Sequence, residues 1–199
     1  MKLRITLLAV CLAWMLPAGA APPPEQSCMD CHGKDGVSSE SDVPTIAGQS
    51  AEYLKDQLED YADKKRPCPQ SKYRAGDKNR SATDMCKIAA DLGAANFETV
   101  AKFYSGKPFV AAKQSFDAAK AATGKKVHAV HCDKCHSKGG TSPEDDAGIL
   151  AGQPMAYLRE SLKDFTGGKR EMPKKMKPKI EELKPDEIDA LVEYYGSVQ

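Results

Sequence analysis

The sequence is poor in large rings and in charge of any one sign. Aromatic residues make up 7% of the 199 residues, and the one tryptophan, Trp14, lies in the first twenty. With 29 basic and 28 acidic side chains the net charge is +1. No bulk field therefore attracts nucleic acid or an acidic membrane surface. Strand-like alternation is missing throughout, and the only long apolar run, Ile5 to Leu16, is too short for a comfortable membrane span. That run follows Lys2 and Arg4 and precedes Ala18–Gly19–Ala20 and three prolines, Pro22 to Pro24. This order predicts a cleaved signal peptide over 1–20 and a periplasmic protein. Cys11 imitates a lipoprotein cleavage site but sits inside the apolar run.

Roughly 180 residues remain, room for one large or two small domains, and small domains need a cofactor, metal or disulfide to complete a core. Self-comparison chooses two. An offset of 104 carries Cys28 to Cys132, Ile46–Ala–Gly–Gln49 to Leu150–Ala–Gly–Gln153, Tyr53–Leu54 to Tyr157–Leu158 and Tyr61 to Phe165. The second copy is then 13 residues shorter, and an offset of 91 pairs Phe97 with Ile188, Val100 with Leu191 and Tyr104 with Tyr195. Expected domains are 21–106 and 114–199, joined by a linker over 107–113. Helical spacing predicts helices at 50–63, 94–104, 116–131, 154–166 and 185–195, an all-α fold. The helix leading into the second copy has almost no counterpart in the first.

What the chain does contain is Cys28–Met–Asp–Cys31–His32 and Cys132–Asp–Lys–Cys135–His136. Cys-x-x-Cys-His places two thiols to form thioethers with haem vinyl groups and sets the adjacent histidine against the iron. A redox dithiol leaves the two histidines unexplained, and half a zinc site suits an exported chain poorly. Two covalently bound haem c groups follow, with His32 and His136 as axial ligands.

The sixth ligand separates electron transfer from catalysis, because a methionine thioether raises the potential and closes the iron to substrate. Met85 lies twelve residues before Phe97 and Met176 twelve before Ile188, so both are expected to ligate iron. Met172, followed by Pro173, competes with Met176. Met29 and Met155 are assigned to packing, and His128 and His131 to surface or structural roles. Cys68, in the excess segment, and Cys86, beside Met85, remain. A disulfide is the expected pairing in an oxidising compartment, contributing on the order of 3 kcal/mol for a loop of about 17 residues and pinning the long loop that presents Met85. Copper at Cys68/Cys86, or Cys86 thiolate ligation of iron, are the alternatives. Lys169, Arg170, Lys174, Lys175, Lys177 and Lys179 form a basic stretch around Met176, a candidate docking patch for an acidic redox partner.

Two haem motifs, each followed by Ile/Leu–Ala–Gly–Gln and a methionine before the closing helix, resemble the tandem class I dihaem cytochromes. Within that group, Ala112–Lys–Gln–Ser–Phe–Asp117, His131–Cys–Asp–Lys–Cys–His136, Ile149–Leu–Ala–Gly–Gln153 and Lys169–Arg–Glu–Met–Pro–Lys–Lys–Met176 resemble the cytochrome subunit of flavocytochrome c sulfide dehydrogenase. The resemblance implies two tandem class I cytochrome c domains related by pseudo-twofold symmetry. It also implies a separate FAD-containing flavoprotein subunit as partner in a heterodimer, FAD residing only there. The chain would then be an electron-transfer subunit and not itself an enzyme, passing electrons to a small soluble acceptor such as a cytochrome c. Alternatives are a free-standing dihaem carrier to a terminal oxidase, or a dihaem peroxidase or thiosulfate dehydrogenase-like enzyme. The Cys68/Cys86 segment and the short leader before Cys28 depart from that pattern.

Overall fold

The computed structural model describes residues 22–199, and the expected signal peptide, 1–20, lies outside the described residues. Among these there is no strand; the one extended pairing is an isolated bridge between Ser71 and Thr83. No helix among them is long and apolar enough to cross a membrane.

The first half holds α1 (Gln26–His32), α2 (Ala51–Ala62), α3 (Met85–Leu92) and α4 (Phe97–Ser105). The second holds α5 (Ala118–His131), α6 (Met155–Thr166), α7 (Lys177–Glu181) and α8 (Pro185–Ser197). The helices expected from periodicity are present, with ends shifted by a few residues. Ser50 is the cap of α2, its hydroxyl accepting from the Tyr53 N–H at 3.0 Å. Sequence spacing missed α1, α3 and α7, which at 7, 8 and 5 residues are too short for a helical period to accumulate. The long segment 63–84 leads directly to Met85, which opens α3, whose cap Asp84 accepts from the Lys87 N–H at 2.8 Å.

Each half has its own core. Cys28, Leu54, Leu58, Phe97, Val100 and Tyr104 bury together in the first. In the second the set is Val127, Leu158, Leu191, Val192, Tyr194 and Tyr195. The matched backbone agrees: Ile46 and Ala47 donate to the Gly36 carbonyl as Leu150 and Ala151 do to that of Gly140. Gly48 likewise donates to Tyr104, and Gly152 to Tyr195. Gly36 and Gly140 both have positive φ, 79° and 86°, and lie directly against the Tyr104 and Tyr195 rings.

The halves differ at their entrances. In the second, the 14-residue α5 packs across α8, and Gly124 lets the backbones touch; a Cβ there would stand 1.9 Å from the Ala190 carbonyl oxygen. In the first, the segment between Cys68 and Cys86 folds back over α1 instead. Arg74 and Ala75 donate backbone N–H groups to the Asp30 carbonyl, both at 2.9 Å, and Arg80 pairs with the Asp30 carboxylate.

Candidate cofactor centres

The thiols come first, because their environment tests the motif readings. Cys28, Cys31, Cys132 and Cys135 are all free of disulfides. Burial pushes the thiols of Cys28, Cys31 and Cys132 above their ordinary range. A redox-active Cys-x-x-Cys is favoured by a thiol shifted the other way, so burial does not activate these three thiols for exchange. Metal clustering is no better supported at the motifs. Among the described residues, the donor atoms that gather in threes are those of Cys68, Asp84 and Cys86.

The histidines are arranged alike. His32 Nδ1 lies 2.8 Å from the Pro44 carbonyl oxygen, and His136 Nδ1 lies 3.1 Å from that of Gly148. Pro44 and Gly148 are themselves related by the offset of 104. A carbonyl only accepts, so Nδ1 carries the proton in both rings. Burial lowers the pKa of both imidazoles, so each is neutral with its lone pair on Nε2. A neutral imidazole fixed through Nδ1 beside two free thiols is the donor set a covalently attached haem requires, so the residues fit that group.

Met85 and Met176 keep their correspondence in three dimensions. Met85 is the first residue of α3, and Met176 caps α7. Four residues on, Ala89 and Ile180 are both buried. Met172 instead lines a 910 Å³ cleft between α6 and α8, with Phe165, Ile180 and Val192. None of Cys132, Cys135, His136 or Met176 lines that cleft. Met155 packs in the second core. His128 is buried between the Tyr195 hydroxyl at 3.0 Å and the Asp133 carboxylate at 3.2 Å, a structural group whose ring nitrogens are both engaged.

Cys68 and Cys86 are joined by a disulfide with Cα atoms 5.8 Å apart. This corrects the copper and thiolate alternatives, since neither sulfur is then a thiolate able to bind copper or iron. Arg170 is a second correction. It does not belong to the exposed basic stretch but is buried, stacked on Phe165 and bonded to Ser161 and Gln57, both at 2.6 Å. Its counterpart Arg66 is also buried, stacks on Tyr61 and donates to the same Gln57 oxygen at 2.6 Å. The offset of 104 that pairs Tyr61 with Phe165 also pairs Arg66 with Arg170, so the repeat itself carries the signal for this second arginine.

The seam is isologous, as a pseudo-twofold axis requires. Gln153 Oε1 accepts from the Thr45 N–H at 2.9 Å, and Gln49 Oε1 accepts from the Ile149 N–H at 2.8 Å. Gln153 also donates to the Thr45 carbonyl at 2.7 Å.

The family model for subunit III of cbb3-type cytochrome c oxidase matches residues 119–194. The thiosulfate dehydrogenase electron acceptor of Thiomonas intermedia (strain K12) is 31% identical over 173 residues, covering 80% of this chain and 72% of that protein. The chain belongs to the cytochrome c family. Among solved structures, reduced recombinant cytochrome c4 from Pseudomonas stutzeri superposes with a TM-score of 0.71 at 25% identity, covering 92% of this cytochrome and all of that chain. Thiosulfate dehydrogenase from Marichromatium purpuratum, in its as-isolated form, gives 0.66 at 25% identity over 85% of this chain and 36% of that one. The fold is therefore all-α, with two tandem class I cytochrome c domains. Family membership implies covalently bound haem c, and two attachment motifs imply two.

Proposed function

We propose that this cytochrome is a periplasmic dihaem electron carrier that accepts electrons from a sulfur-compound dehydrogenase and passes them to a small soluble acceptor. The observation that carries the reading is the matched pair of neutral, Nδ1-anchored histidines beside paired free thiols. Cys28 and Cys31 would hold one haem and Cys132 and Cys135 the other, with His32 and Met85, and His136 and Met176, as axial ligands. A covalently held haem supplies a one-electron ferric/ferrous couple. The chain's own residues do the rest. The carbonyls of Pro44 and Gly148 orient the histidines, the aromatic cores exclude water, and Arg66 and Arg170 tie the halves together through Gln57. The disulfide, adjacent to Met85, would hold that ligand's helix in place.

Two partners have support of different kinds. A thiosulfate-oxidising dehydrogenase is favoured by the similarity to the Thiomonas electron acceptor and to the Marichromatium thiosulfate dehydrogenase. An FAD-containing sulfide dehydrogenase subunit is favoured by the residue patterns from Ala112 to Met176. Charge is distributed unevenly between the halves. Residues 22–106 carry 11 basic and 14 acidic side chains, and residues 107–199 carry 16 and 14. Lys174, Lys175 and Lys177 are exposed around Met176, a surface suited to an acidic partner.

Purification of the holoprotein with its native partner, followed by haem and flavin counting, tests the proposal. Two haems per chain are expected, with reduction by thiosulfate in a flavin-free complex or by sulfide in a flavin-containing one. A high-spin ferric iron with an open sixth position, or no reduction by either donor, would sink the reading.

A further inference from the structure

The two histidines and the two seam glutamines converge on single peptide units. His32 Nδ1 donates to the Pro44 carbonyl, and the N–H of that same peptide, on Thr45, donates to Gln153 Oε1. His136 Nδ1 donates to the Gly148 carbonyl, and the N–H of that peptide, on Ile149, donates to Gln49 Oε1. Each histidine is thus joined, through one amide, to a glutamine of the opposite half. All of the bridging groups are buried, with Thr45 and Gln153 at 1% exposure and Gln49 and Ile149 at 4%. We infer that Gln153 sets the reduction potential of the first-half haem and Gln49 that of the second-half haem, each acting across the seam through the peptide that orients the other half's histidine.

The physics is that of a hydrogen-bond chain in a low-dielectric interior. Accepting the amide N–H polarises the peptide, so its carbonyl oxygen becomes more negative and holds the Nδ1 proton more firmly. The imidazole then gains basicity at Nε2, which favours the ferric iron and lowers the potential. Gln49 and Gln153 touch no iron ligand and are positioning residues. Each glutamine thus reaches the opposite centre through a separate backbone N–H, while both side chains also donate to the Thr45 carbonyl. The inference rests on the assignment of His32 and His136 as iron ligands.

The test is potentiometric titration of the holoprotein, with each haem followed by its own hyperfine-shifted ring-methyl resonances. In Gln153→Met the N–H of Thr45 loses its acceptor. The first-half haem should rise by up to tenfold in its reduction equilibrium constant, about 59 mV for one electron. The second-half haem should stay in place. Gln49→Met should do the reverse. If a methionine variant fails to fold, Gln153→Asn and Gln49→Asn, which keep polarity but fall short by a methylene, should give the same crossed pattern. Equal movement of both haems in one variant would show a merely loosened seam. That result, movement of the variant's own-half haem, or no movement, overturns the inference. Wild-type spectra lacking histidine ligation at either iron would overturn the functional assignment as well, so the two failures are told apart.

Discussion

The two halves solve one problem by different means. Both must enclose a large flat cofactor with few residues, and both keep the closing helix, the anchored histidine and the seam glutamine. The second half closes its entrance with α5, packed across α8 through Gly124. Among the described residues, the first half has the seven-residue α1 at the corresponding place. It carries instead the segment tied by Cys68–Cys86, which lies over Asp30 and leaves Cys31 half-buried where Cys135 is exposed. A repeated domain therefore needs a cover over its attachment motif, but not one particular cover.

The comparison breaks most severely at Gly124. Gly124→Val would force a Cβ into the Ala190 carbonyl and should cost about 3 kcal/mol or more. Thermal denaturation should show the second half melting early while the first is unchanged; a cooperative shift of both would mean that the halves do not fold separately. Removing the disulfide with Cys68→Ser and Cys86→Ser should cost the first half about 3 kcal/mol in the chain-entropy model. Denaturant midpoints that do not move in this variant would show that the segment is held by its contacts with Asp30 alone.

The smallest effect concerns acid. The Tyr104 hydroxyl donates to the Glu25 carbonyl, which does not titrate, whereas the matched Tyr195 hydroxyl is partnered by His128. Burial lowers the pKa of His128 below its ordinary 6.5. The unfolded chain therefore binds that proton more readily than the folded one. The stability this group contributes is full above pH 6.5 and is lost as the pH falls through the lowered folded value. Local opening of α5, followed by amide exchange between pH 7 and 5, should increase with acid. His128→Gln, which removes the titrating ring, should flatten that dependence; an equal acid response in α4 around Tyr104 would contradict the assignment.

Much of this was legible in the chain itself. Offsets of 104 and 91 located both copies, and the longer helices followed from apolar spacing, because Leu54, Leu58 and Tyr61 recur on one face. The short helices were not legible, since α3 is held by its Asp84 cap and each of α3 and α7 by one buried residue, Ala89 or Ile180. Arg170 was misread for a related reason. In sequence it belongs to a run of lysines, yet its guanidinium finds Phe165, Ser161 and Gln57 only once α6 and α2 meet.

Covalent and local matters were determined by the sequence alone: two Cys-x-x-Cys-His motifs, their repeat, and the residue types able to hold iron. Spacing of a few residues is enough to specify chemistry of that range. Only the tertiary structure decided that Gln49 and Gln153 reach across the seam to the peptides holding the opposite histidines. Those partners lie 100 and 108 residues apart in the chain. No local pattern encodes such a bond; it exists because the two halves pack about a pseudo-twofold axis that buries the amides and leaves them no water to bond instead.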